Sequence, residues 1–99
     1  MKLPSQQTLD KYGLTKSDWL KILERQGGVC PICEKEPSTG RFVTDHFHSK
    51  GWKKKPPEER KRDVRGILCY FCNRFYMGRC ITIKKAENVV AFLKRFASR

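Results

Sequence analysis

Cys30-Pro31-Ile32-Cys33 and Cys69-Tyr70-Phe71-Cys72 are two C-x₂-C knuckles in a chain of 99 residues. Each can offer two thiolates to one ion, and the pair completes the tetrahedron that structural zinc adopts. Both histidines of the chain fall in Asp45-His46-Phe47-His48, and Asn73 follows the second knuckle directly. A carboxylate and a neutral amide oxygen suit a hard cation such as Mg²⁺, and imidazole is the side chain best placed to take a proton near pH 7. Metal-assisted chemistry with a histidine base is the reaction type these residues favour.

Blander roles compete for the same side chains. The cysteines could be buried thiols or a thioredoxin-like redox pair, but no βαβ pattern surrounds either knuckle. His46 could ligate zinc or sit idle on the surface, yet four cysteines already fill a tetrahedron. Asn73 could cap a helix, and Asp45 could pair with a nearby arginine. Asp45, His46 and Asn73 together, in this order after and beside the knuckles, weigh toward chemistry. Cys80 is left over, and its expected role is that of a small buried hydrophobe near the last helix.

The elements that must position these groups can be read from pattern. Thr15-Lys16-Ser17-Asp18 resembles a capping box, opening a helix over residues 14–26 whose apolar face carries Trp19, Ile22 and Leu23, with Gly27-Gly28 as its stop. After the first knuckle, Pro37-Ser38-Thr39-Gly40 is a turn and Arg41-Phe42-Val43-Thr44 alternates like a strand leading into Asp45. Strand alternation puts Asp45 and Phe47 on one face, His46 and His48 on the other. Residues 49–63 are polar and proline-broken, which predicts an exposed loop. Val64-Arg65-Gly66-Ile67-Leu68 is a second strand, and residues 85–98 carry Val89, Phe92, Leu93 and Phe96 at helical spacing. Thirty-five residues separate Cys33 from Cys69. A shared zinc would therefore tie both ends of an inserted hairpin and hold it against the last helix. Structural zinc contributes about 10–16 kcal/mol of apparent binding energy in small domains, enough to decide folding.

Length and charge bound the rest. Ninety-nine residues favour one domain over 1–99 and speak against a two-domain enzyme. The formal charge is +12, and it is uneven: +1 over residues 1–40 and +11 over residues 41–99. A polyanionic partner facing the second part is the expectation. Lys53, Lys54, Lys55, Arg60, Lys61 and Arg62 in the loop are candidate phosphate contacts, and Arg65 and Arg74, beside the cysteine and Asp/Asn positions, are better candidates for gripping the polyanion. Phe71 and Phe75 are expected in the core. The absence of a long apolar run and of a signal-peptide core suggests a soluble, cytoplasmic protein.

Asp-His-x-His after a first knuckle, followed by Val-Arg-Gly-Ile-Leu-Cys-x-x-Cys-Asn, resembles the phage recombination endonuclease VII group of the HNH, or His-Me finger, nucleases. Tyr12-Gly13-Leu14-Thr15 and Gln26-Gly27-Gly28-Val29-Cys30 are similar to that group as well. The resemblance implies a small α+β fold: a zinc-stabilised ββα-metal core over residues 29–75 with flanking helices, the last over 85–98. It implies zinc on Cys30, Cys33, Cys69 and Cys72, and a catalytic Mg²⁺ or Mn²⁺ on Asp45 and Asn73. His46 would be the general base and His48 a supporting residue orienting phosphate or His46. The implied reaction is DNA phosphodiester hydrolysis to a 5′-phosphate and a 3′-hydroxyl, by an enzyme nicking duplex or branched DNA with little sequence preference. Holliday-junction resolution and a non-catalytic zinc-containing DNA-binding module are the alternatives. A phage packaging or recombination complex is the expected setting.

Overall fold

The computed structural model describes residues 2–78 and 81–98. Helix α1 (Gln6–Tyr12) starts on Ser5, whose side chain accepts from the Thr8 N–H, and ends on Gly13 in the left-handed region. Helix α2 (Lys16–Arg25) opens with both halves of the Thr15/Asp18 capping box formed. Satisfying two otherwise unpaired N–H groups in this way fixes where the helix begins. Its end is marked by Gly27 and Gly28, both at positive φ. Leu9 and Tyr12 from α1, and Trp19 and Leu23 from α2, join Leu14, Trp52 and Ile67 in the main core. Each such side chain contributes about 1.5–3 kcal/mol by burial.

Strand β1 (Val43–His46) lies two residues later than the alternation of Arg41 to Thr44 suggests, so Asp45 and His46 belong to the strand itself. Residues 49–63 are not a bare loop. They hold a 3₁₀ turn (Trp52–Lys54) that buries Trp52, and helix α3 (Pro57–Arg62), with Pro57 at its first position and its acidic and basic residues at the ends the helix dipole prefers. Strand β2 (Val64–Leu68) pairs antiparallel with β1 as Val43–Leu68, Thr44–Ile67 and Asp45–Gly66, then skips Arg65 to pair His46 with Val64. That β-bulge leaves Arg65 without a partner in the ladder and re-aims its side chain. Ile67 faces the main core, while Leu68 packs with Cys30, Cys69 and Cys72 in a second cluster. The two-stranded sheet thus separates a helical core from a cysteine cluster.

Helix α4 (Tyr70–Phe75) begins on Cys69, whose sulfur accepts from the Cys72 N–H. On so short a helix Cys72 takes the inward position, which leaves Phe71 and Phe75 67% and 69% exposed, contrary to the expectation that they are core. Helix α5 (Ile83–Ala97) carries the anticipated apolar stripe, yet none of its residues is buried, so the hairpin is not held against it. Cys80 lies outside the described residues.

Candidate functional site

Four sulfur atoms converge where the two knuckles meet. Cys30, Cys33, Cys69 and Cys72 all bring Sγ within 4.8 Å of one another, and Cys33 and Cys69 are 3.8 Å apart. With Zn–S bonds near 2.3 Å, the edge of a tetrahedron is about 3.8 Å, so the spacing is that of ligands around one ion. The first knuckle closes through the Glu34 N–H donating to the Cys30 carbonyl, with Glu34 itself at positive φ. Burial pushes the Cys30 thiol up, but the backbone N–H groups of Cys33, Cys69 and Ile32 outweigh it and bring the thiol down to about 6. Burial raises Cys72 instead, and the neighbouring thiols add to the effect. A metal such as zinc takes its cysteine ligands as thiolates, and four converging sulfurs offer it that donor set.

The imidazole of His46 lies in a cage of rings. Trp52 stacks on it at 4.1 Å between centroids and 25° between planes; His48 lies at 4.4 Å and Tyr12 at 5.4 Å. Burial first, then the charge of His48, holds the His46 value below the ordinary 6.5, with the negative charge of Asp45 opposing. Burial and the His48 charge both favour the neutral ring, the form able to accept a proton. Asp45 and Phe47 do not share an environment: Asp45 is 4% exposed and Phe47 56%. His46 and His48, by contrast, meet.

The Asp45 carboxylate accepts two hydrogen bonds from Arg65, from Nε at 2.7 Å and from Nη2 at 3.0 Å. The bulge is what brings Arg65 there. Asn73 lies within α4 rather than at its cap, half-buried, and α4 packs against β1. Oxygen donors of the type a hard divalent cation takes are thus present on neighbouring elements, with Arg65 already holding the carboxylate.

The basic residues divide. Arg60 donates to the carbonyls of Lys11 (3.2 Å) and Lys53 (2.6 Å) and lies over the Trp52 ring, bracing the ring that stacks on His46. Lys61 pairs with Asp18 at 3.2 Å, and Lys55 joins Ser49 and Asp63. Lys53, Lys54, Arg62 and Arg74 form no ion pair among the described residues and are exposed.

Gln26 is the residue that reading the sequence misses. Its amide donates to the Ile67 carbonyl at 2.7 Å and to the Val29 carbonyl at 3.2 Å, and accepts from the Ile67 N–H at 2.8 Å. A single side chain thereby stands in for a third strand on β2. The available signal was a polar residue at a helix end, ahead of two glycines, beside a sheet too narrow to satisfy its own edge.

A hairpin and short helix meeting at four thiols, and carrying a histidine caged by rings, define a small α+β protein with a metal-ready site. The family described as recombination endonuclease VII matches residues 5–96, and the chain belongs to that family. It is 33% identical over 88 residues to the Gene 59 protein of Mycobacterium phage L5, covering 88% of this chain and 43% of that protein. The Gene 59 protein of Mycobacterium phage D29 is 35% identical over 71 residues, 71% of this chain and 36% of that one. The chain spans less than half the length of these relatives. No solved structure matches it.

Proposed function

We propose that the protein is a divalent-metal-dependent DNA endonuclease in which β1, β2 and α4 form a ββα-metal, or His-Me finger, unit. The observation that carries this reading is the position of His46, held between Trp52, Tyr12 and His48 on the strand that leads from the four-cysteine cluster. Family membership supports the same class of reaction. Cys30, Cys33, Cys69 and Cys72 would hold zinc, which when bound ties the ends of the hairpin together. Asp45 and Asn73 would hold Mg²⁺ or Mn²⁺, which when bound supplies positive charge to the scissile phosphate and the leaving 3′ oxygen. His46 takes a proton from the attacking water, and the stacked indole prevents the imidazole from turning away. His48, in contact with His46, orients it or the phosphate. Hydrolysis leaves a 5′-phosphate and a 3′-hydroxyl. Nicking of duplex or branched DNA with little sequence preference is the substrate reading that accompanies this, as no recognition-helix motif lies among the described residues.

A second reading, a zinc-containing DNA-binding module without activity, draws on one observation: Arg65 already satisfies Asp45. Incubation of the zinc-loaded protein with supercoiled plasmid and a four-way junction, with and without Mg²⁺, separates the readings. Metal-dependent nicking lost in His46→Ala supports the nuclease; binding without cleavage under Mg²⁺ or Mn²⁺ supports the module. Preference for the junction would add resolvase activity.

A further inference from the structure

The N-terminal arm, α1 and β1 enclose an open hollow of about 900 Å³ whose lining includes three cations, Lys2, Lys11 and Arg41, together with Tyr12, Thr44 and Asn73. No aspartate or glutamate lines it among the described residues. The nearest acid along α1, Asp10, is engaged by the Gln6 amide at 2.8 Å. Backbone pairing places two of the cations together: Lys2 and Arg41 are partners in a parallel bridge, and the Lys2 N–H donates to the Gly40 carbonyl at 2.8 Å. Like charges held opposite each other on adjacent strands repel, and here no carboxylate intervenes. An anion between them removes that cost.

The hollow also reaches the candidate site. Asn73 forms part of its wall, and Tyr12, also in the wall beside Lys11, has its ring 5.4 Å from that of His46. The geometry points to a groove for the phosphodiester backbone of the strand being cut, with Lys2, Lys11 and Arg41 gripping successive phosphates leading to His46 and Asn73. This inference rests on the nuclease reading and names residues outside the loop on which the charge pattern alone placed the phosphate-binding cations. Two of the three come from residues 1–40, the nearly neutral part of the chain.

The test is the salt dependence of binding to a labelled duplex, measured by fluorescence anisotropy with the zinc-loaded full chain in a His46→Ala background that cannot cleave. The combined variant K2Q/K11Q/R41Q is expected to lower the slope of log K against log salt by about 0.9 for each phosphate no longer neutralised, so by about 1.8–2.7 in all. Its zinc content and melting temperature should match the parent, since the three side chains are exposed. If the combined variant does not fold, Lys11→Gln alone should lower the slope by about 0.9. A slope unchanged by these substitutions while the parent binds DNA overturns the groove and leaves the nuclease reading standing. Failure of the parent to bind DNA at low salt overturns both.

Discussion

Asp45 and Arg65 set up a competition at the scale of single residues. With both guanidinium bonds on the carboxylate, a divalent cation at Asp45 must share or displace the arginine. Arg65→Gln should therefore lower the Mg²⁺ concentration needed for half-maximal cleavage, which a metal titration of plasmid nicking measures. The same substitution removes the guanidinium from a buried carboxylate, and a loss of about 1–3 kcal/mol of stability should appear in urea denaturation of the zinc-loaded protein in Mg²⁺-free buffer. His46 carries a pH signature. Its folded-state value lies below 6.5, so kcat/KM should fall on the acid side of the profile at a lower pH than an ordinary histidine gives. In folding, the unfolded chain binds that proton more tightly. The stability contribution of His46 is thus complete above pH 6.5 and lost as pH falls through the folded value.

What could be read at this scale follows from chemistry. Thiolates at C-x₂-C spacing announce a shared ion because few other structures require them, and the four sulfurs do converge. The Asp45–Arg65 pair was only one possibility among several, because it depends on a bulge that moves the register by one residue. No periodicity reveals such a skip. Gln26 was illegible for a related reason: its partner lies 41 residues away, on a strand edge that becomes an edge only once the sheet is known to have two strands.

At the scale of elements, Gly13 joins α1 to α3. It ends α1 at φ 69°, and a Cβ there would overlap the Pro57 carbonyl. Gly13→Ala should destabilise the protein by more than the roughly 1 kcal/mol an unfavourable φ alone costs, seen as a lowered midpoint in urea. Gln26→Leu would leave the Ile67 N–H and C=O without their partner, at about 1–3 kcal/mol for each buried group, and should speed amide exchange at Ile67. Helix α2 was legible from its capping box and stripe. Helix α3 was not, since Lys53-Lys54-Lys55-Pro56-Pro57 reads as a chain breaker, whereas Pro57 serves as a helix start and Trp52 as core.

With zinc on the four thiols, as proposed, closing the hairpin there becomes the step on which the whole molecule depends. Chelation of the metal, or Cys72→Ser, should abolish the cooperative melting transition, because about 10–16 kcal/mol is comparable to the entire stability of a small domain. Helix α5 should behave differently. With none of its residues buried, removing α5 should lower the metal-loaded melting temperature of the remainder in calorimetry far less than loss of the metal does. Its periodicity was plain in the sequence, but periodicity names an apolar face and not what lies on it. The same limit explains Phe71 and Phe75: an aromatic pair beside a metal knuckle looks like core until Cys72 is found facing inward.

Cleavage of supercoiled plasmid by wild type and by His46→Ala, matched for zinc content and melting temperature and assayed in Mg²⁺, tests the central claim most directly. Loss of the imidazole should slow nicking by about 10²–10⁴-fold while DNA affinity is retained. Equal nicking rates for the two proteins would show that His46 is not the base, and with it the hydrolytic assignment of this site would fall.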